Sequence, residues 1–409
     1  MTHVSQFTED ERPAAPPLEA RSVPGAQRAP HSSDNVSGAV DPHRPQGQPY
    51  PPGRSGRRFH SGDRGPVYGA LDLGTNNCRL LLARPSRRGF RVVDAFSRII
   101  RLGEGVSQTG RLSDAAMRRT IDALRVCATK LGRNRVERVR CVATEACRVA
   151  SNGREFLRRV EGEVGLKIEV LDRETEAQLA VSGCASLIDP RADYVLVFDI
   201  GGGSSELIWL DLSRPDQDGE TSDGARRIGV KPQVKAWTSL PVGVVTLAEK
   251  FGGHHVTAES FEEMVQFVAS LARPFEALHD FNAMAEGGNV HFLGTSGTVT
   301  TVAGIHLGLK RYDRQRVDGC WLASDEIQSV VYGLVAQSYE ERVAEPCIGH
   351  ERADLVLAGC AILEAILRTW PAERLRVADR GLREGILATL MSEDGVYRVG
   401  RRRRRQRSD

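Results

Sequence analysis

No apolar run in this 409-residue chain approaches the roughly 18 residues that a membrane helix needs. No secretory apolar core opens it either, because residues 1–30 mix Pro, Ala, Arg and acidic side chains. None of the eight Cys forms a Cys-x-x-Cys pair, so a zinc or disulfide framework finds no support. Buried, reduced thiols in a cytoplasmic protein are the expectation. An excess of one charge is also missing. The formal net charge is +3, and the six Arg within residues 401–407 exceed it alone. The body is therefore close to neutral, which argues against a membrane surface or a specific nucleic acid as partner. Large apolar residues are scarce in residues 1–66, which hold 11 of the 19 prolines and are expected to be disordered, as is the Arg-rich tail 396–409.

What the chain does have is one phrase said twice. Tyr68 to Leu82 reads as an apolar strand, then Asp72-Leu-Gly74-Thr75-Asn76-Asn77, then a second apolar strand. Tyr194 to Leu210 repeats this around Asp199-Ile-Gly201-Gly202-Gly203-Ser204-Ser205-Glu206. Strand, tight Gly turn and strand predict a β-hairpin. Such a turn exposes backbone N–H groups and small hydroxyls, which suit phosphate oxygens. Asp72 and Asp199 are placed to hold a hard cation such as Mg²⁺ against those phosphates. Two hairpins of matching grammar imply a duplicated fold whose halves grip a phosphate chain from both sides.

Around them, strand and helix patterns alternate, which predicts an α/β fold. Strands are expected at Phe90–Ala95, Val136–Ala143, Ile168–Leu171, Val290–Leu293 and Leu375–Ala378. Helices are expected from Ser113, at Phe156–Val164 and at Glu174–Leu187, then around 259–280, 298–308, 325–337, 352–369 and Leu382–Met391. Arg98–Val106 reads as a basic, Gly-punctuated loop, and Ser213–Gly224 as a polar surface insertion. A third phosphate-type turn, Gly294-Thr295-Ser296-Gly297-Thr298, follows a strand and opens a helix, where N–H groups face an anion. The domain reading is 67–190 for the first half and 191–395 for the second, with helix 382–391 able to pack back on the first.

These three turns in order resemble the actin–hexokinase–heat-shock-chaperone ATPase superfamily. Ala143-Thr-Glu-Ala-Cys-Arg148, Glu174-Thr-Glu176-Ala177, the second hairpin, Gly294–Thr298 and Asp379-Arg-Gly-Leu-Arg-Glu-Gly385 are similar to motifs of the exopolyphosphatase/guanosine pentaphosphate phosphohydrolase (Ppx/GppA) family. The resemblance spans about residues 67–395. It implies duplicated ribonuclease H-like domains with a cleft between them, Glu176 as catalytic base and Arg148 as a phosphate ligand. Mg²⁺ would rest on Asp72, Asp199 and Glu176, and the chain would form a homodimer. The chemistry agrees. Phosphoanhydride hydrolysis needs an aligned water, a carboxylate to take its proton and cations on the phosphoryl oxygens. Glu206 is a candidate to order water or metal.

The pattern departs in two places. Thr75 keeps a hydroxyl that Asn77 lacks, and Thr246 stands where an Arg is common. Relatives with further C-terminal helical domains bind long polyphosphate along them; this chain is expected to favour a shorter substrate. The expected activity is release of terminal phosphate from polyphosphate or guanosine pentaphosphate. A kinase of the same superfamily, or a non-catalytic alarmone or polyphosphate sensor, are the rival readings.

Overall fold

The computed structural model describes residues 65–86, 89–212, 233–286 and 289–396. The N-terminal extension, the 213–224 insertion and the Arg tail from 397 onward lie outside them.

Two mixed sheets share one plan. The first has strand order β3-β2-β1-β4-β5, from β1 (Tyr68–Leu73), β2 (Asn77–Ser86), β3 (Gly89–Ile99), β4 (Arg138–Ala143) and β5 (Glu169–Val170). The second runs β10-β11-β9-β6-β7-β8, from β6 (Tyr194–Ile200), β7 (Ser205–Asp211), β8 (Gln233–Leu240), β9 (Val290–Thr295), β10 (Trp321–Ala323) and β11 (Arg374–Ala378). In each, the hairpin and the strand after it pair antiparallel, and the next strand joins β1 or β6 in parallel. Only β10, antiparallel to β11, lacks a counterpart. The fold is α/β and duplicated.

Local chemistry sets the elements. Helix Asp114–Arg133 starts where the Ser113 hydroxyl accepts the Ala116 N–H at 3.2 Å. It buries Ile121, Leu124, Cys127 and Leu131 on one stripe against the first sheet. Strand β3 runs to Ile99, so Arg98 and Ile99 are not loop residues. The cause is pairing, since Asn77 and Cys78 on β2 align with Ile99 and Arg98. Helix Arg173–Cys184 closes in a short 3₁₀ turn at Ala185–Leu187. All eight Cys are unbridged, and all but Cys320 are buried.

The two halves exchange helices. Helix Arg173–Cys184, from the first half, lays Ala177, Val181 and Cys184 on Val195, Val197 and Ile208 of the second sheet. Helix Leu382–Glu393, from the second, lays Ile386, Leu387, Leu390 and Met391 on Ala70, Leu81 and Val142 of the first. The helices themselves meet backbone to backbone. A Cβ at Gly183 would stand 1.9 Å from the Gly381 carbonyl oxygen, and one at Gly385 would stand 2.0 Å from that of Leu179. Only glycine allows that approach. This contact sets the second half of helix Arg173–Cys184 against the first turn of helix Leu382–Glu393 at the junction of the halves.

Candidate active site

The two hairpin turns are built alike. The Gly74 N–H donates to the Asn77 carbonyl at 2.9 Å, and the Gly201 N–H to the Ser204 carbonyl at 2.9 Å. The chain leaving the third strand then folds back on each turn. Gly103 N–H binds the Thr75 carbonyl at 2.9 Å, and Val245 N–H the Gly202 carbonyl at 2.8 Å. The tips touch one another. A Cβ on Gly202 would lie 2.8 Å from the Thr75 Cβ, and one on Gly203 would lie 3.0 Å from the Thr75 Oγ1. Thr75, Asn76, Ser204 and Ser205 are buried at this contact. Sequence reasoning set the turns on opposite sides of a phosphate chain. In this structure they meet tip to tip. The side-chain oxygens of Asn76 and Asn77 are buried there without a hydrogen-bond partner among the described residues.

Below the tips lies a charged cluster. Glu176 sits in the first turn of its helix, whose Asp172 cap accepts the Thr175 N–H at 2.7 Å. Its Oε2 meets Arg148 Nη2 at 3.0 Å. Arg148 also donates to Glu145 Oε2 at 2.7 Å and to the Leu171 carbonyl at 2.5 Å. Arg173 reaches the other Glu145 oxygen at 2.6 Å. The expected phosphate ligand Arg148 is therefore spent on two carboxylates and a carbonyl. Burial, then the Glu206 charge, pushes the Glu176 carboxyl well above the ordinary range, with Arg148 opposing and Asp72 adding.

The metal candidates follow the same logic. Asp199 is pushed up to about 7 by burial and then by Glu206 and Asp72, with Arg79 pulling the other way. Burial also raises Asp72, against the pull of Arg79 and Arg383. Glu206 accepts from the Ser204 hydroxyl at 2.8 Å and from Ser239 at 2.9 Å, and burial raises its carboxyl as well. Among the described residues, no three His, Cys, Asp or Glu side chains converge closely enough to hold a metal by themselves. Asp72, Asp199 and Glu176 share a field rather than a coordination shell.

The third turn sits one strand from the second hairpin, since Thr295 pairs with Asp199. Its Thr295 hydroxyl donates to the Arg380 carbonyl at 2.9 Å, and Thr298 packs on Gly359. Ser296 caps helix Gly297–His306 at φ 136°, ψ 173°. Glycine alone populates that region readily, and strain of about 1–3 kcal/mol there concentrates at ligand-binding sites. Gly294 is used for packing, because a Cβ would come within 2.7 Å of the Phe198 ring. Thr246 turns inward, holding the Gly243 N–H at 2.9 Å as a helix cap.

Sequence reasoning missed Glu145, Arg173, Arg79, Arg383 and Glu384. Arg79 was legible, because it stands across the hairpin from Asp72 as Glu206 stands across from Asp199. Arg383 and Glu384 open the exchanged helix, with Glu384 accepting from Gly381 N–H at 2.9 Å and Arg314 at 2.8 Å. Burial alone would raise Glu384, but Arg383, Arg314 and that N–H outweigh it and hold it low.

Comparison with known proteins adds the following. A model of the Ppx/GppA phosphatase family matches residues 82–394. A guanosine-5'-triphosphate,3'-diphosphate pyrophosphatase of Aeromonas hydrophila is 29% identical over 330 residues, 80% of this chain and 60% of that one. The chain thus spans about 60% of the length of the curated relatives it matches. The crystal structure of the Aquifex aeolicus member of the Ppx/GppA protein family matches at 29% identity and TM-score 0.64, covering 80% of this chain and 98% of that one. An exopolyphosphatase from Cytophaga hutchinsonii shares the fold at 23% identity and TM-score 0.68, over 80% and 98% of the two chains.

Proposed function

The chain belongs to the Ppx/GppA phosphatase family, and from that premise we propose that it is a Mg²⁺-dependent phosphoanhydride hydrolase. It releases terminal phosphate from guanosine pentaphosphate, from linear polyphosphate, or from both. One observation carries the reading. Glu176 is a carboxylate in a desolvated pocket, pushed well above the ordinary carboxylate range by burial and then by Glu206, and held by Arg148 at 3.0 Å. Raised proton affinity and a fixed orientation are what a general base needs to take a proton from water.

Each group has a role in this reading. Glu176 orients the attacking water and accepts its proton. Arg148, freed from Glu176 as phosphate enters, moves onto the phosphoryl oxygens. Backbone N–H groups of residues 75–76, 202–204 and 296–298, at the tips of the three turns, hold the remaining oxygens. Bound Mg²⁺ would neutralise charge on the phosphate chain. Mg²⁺ is usually bound by one or two carboxylates plus substrate phosphates, rather than by a full protein cage. Asp72 and Asp199 fit that use: burial, and then the Glu206 charge, pushes Asp199 up to about 7, so a cation beside it would favour its charged form. Guanosine pentaphosphate is favoured by what the curated relatives are called. A cytoplasmic location and a homodimer belong to the same proposal. Among the described residues, no helix is long and apolar enough to cross a membrane.

Phosphate release from the two substrates, measured side by side with and without Mg²⁺, tests this. Wild type is expected to turn over at least one of them. Glu176→Gln should lower kcat by about 10²–10⁴-fold with binding unchanged or tighter. No release from either substrate would replace the hydrolase with a sensor.

A further inference from the structure

A second cavity lies beside the charged cluster, between helix Arg173–Cys184 and strands β7–β8. It is about 260 Å³ and is walled by Glu174, Ala177, Gln178, Ile208, Val234 and Trp237. Its place follows from register. Glu206 pairs with Ser239, Ile208 with Trp237 and Leu210 with Val234, all on the face that helix Arg173–Cys184 covers. The Trp237 rung is thus two residues, about 7 Å, from the Glu206 rung along the strands. The cavity thus lies one rung along the same sheet face from the site, and its lining shares no residue with the charged cluster. Between the last two rungs Lys235 bulges out of register, and such bulges re-aim side chains next to active sites.

We infer that this cavity binds the guanine base of a nucleotide whose phosphates occupy the cluster. The inference rests on the phosphate-site reading above. Trp237, 36% exposed, offers a flat face at the mouth, and aromatic side chains stack on any base. Glu174 supplies the discrimination. Guanine presents N1–H and the exocyclic amine as adjacent donors, which a carboxylate accepts with its two oxygens. Adenine sets an acceptor beside its amine and cannot pair so. Gln178 Nε2 donates to Glu174 Oε1 at 3.2 Å, fixing the carboxylate from one turn along the helix. Glu174 points away from the chemistry that Glu176 performs two residues on. One helix therefore reads the base with one face and cuts the phosphate with the other.

The test is equilibrium binding by calorimetry with the full chain and three probes. They are guanosine 5'-triphosphate 3'-diphosphate, its inosine counterpart lacking the 2-amino group, and linear pentaphosphate. Wild type should bind the guanosine compound about tenfold more tightly than the inosine compound. Glu174→Gln should erase that preference, because its amide donates where guanine also donates. Trp237→Ala should weaken both nucleotides by about tenfold or more. Neither change should move linear pentaphosphate beyond twofold. Equal weakening of all three probes, or of none, overturns the base site. Phosphate release is scored separately. Guanine discrimination without release keeps the pocket and sinks the hydrolase, and release without discrimination does the reverse.

Discussion

The two hairpins are the same backbone with a different charge across one rung. Each closes with a Gly N–H bonded to a carbonyl three residues on, and each presents an Asp before that Gly. Across the strand pair, Asp72 faces Arg79 while Asp199 faces Glu206. The consequence is electrostatic. Asp72 has Arg79 and Arg383 to offset its burial, whereas Asp199 sits in the field of Glu206 and Asp72 with Arg79 alone against them. Duplication supplied two turns of the same backbone geometry. Divergence at one rung left the first hairpin with an opposed acid and base and the second with two facing acids.

Making the halves alike should therefore damage the site most. Arg79→Glu turns the first hairpin into a copy of the second and surrounds the substrate with acids. Loss of a desolvated charge contact costs about 2–5 kcal/mol, so kcat/KM should fall by about a hundredfold. The double change Arg79→Glu with Glu206→Arg restores one base and one acid. It should not rescue activity, because Glu206 is also the acceptor for Ser204 and Ser239. Recovery in the double variant would mean that only the total charge matters.

The same offset locates a second divergence, at the foot of each sheet. Arg138 pairs with Tyr68 and His291 with Val195, equivalent positions four residues before Asp72 and Asp199. Each ties down the end of an exchanged helix. Arg138 grips Glu393 at 2.7 Å and Asp394 at 2.5 Å. His291 Nδ1 accepts the Asp189 N–H at 3.0 Å, so that nitrogen carries no proton. Burial, then Arg376, lowers the His291 imidazole to about 4. The sign follows. Between about 6.5 and 4 the unfolded chain binds a proton that the folded one refuses. Stability is whole above pH 6.5 and is lost as pH falls toward 4, by about 2–3 kcal/mol. The Arg138 guanidinium stays charged throughout. Urea unfolding at pH 7 and pH 4.5 should show this loss in wild type and a shallower slope in His291→Asn. Equal slopes would remove His291 as the cause.

How much of this could be read in the chain depends on its range. The hairpins, with Asp72 and Asp199 in them, were legible because their signals are local and repeated, whereas Glu176 was singled out by its resemblance to a family motif. Strand β8 was not, since it follows a long polar stretch and its bulge at Lys235 breaks the alternation. Ile99 was misassigned because its strand character comes from Asn77 across the ladder rather than from its neighbours. Glu145 stood in a recognised motif, yet nothing local says that it shares Arg148 with Glu176, 28 residues beyond that Arg. The helix exchange rests on Gly183 and Gly385 meeting carbonyls about 200 residues away in the chain, which no spacing reports.

The smallest predicted effect concerns what holds the tips together. The chain after β3 and the helix Val244–Phe251 after β8 are again equivalent, and they clasp each other across the junction. Glu249 accepts the Gly105 N–H at 2.7 Å and the Ser107 hydroxyl. Arg101, at φ 46°, forks onto Asp354 at 2.7 and 3.1 Å. A non-glycine residue in that left-handed region is held there by its surroundings. The pair is partly exposed, at 34% and 14%, so its worth to stability is under about 1 kcal/mol. Its leverage lies in position: on the proposed reading, a phosphate would pass the tips once the halves part. Arg101→Ala should shift the balance toward the parted form and speed exchange of bound phosphate. KM should rise about two- to fivefold with kcat within twofold, while the thermal midpoint moves by only a few degrees. Glu249→Gln keeps an acceptor for Gly105 and should fall between wild type and Arg101→Ala. Unchanged KM and unchanged phosphate exchange in both variants would show that the clasp decorates the junction without governing it.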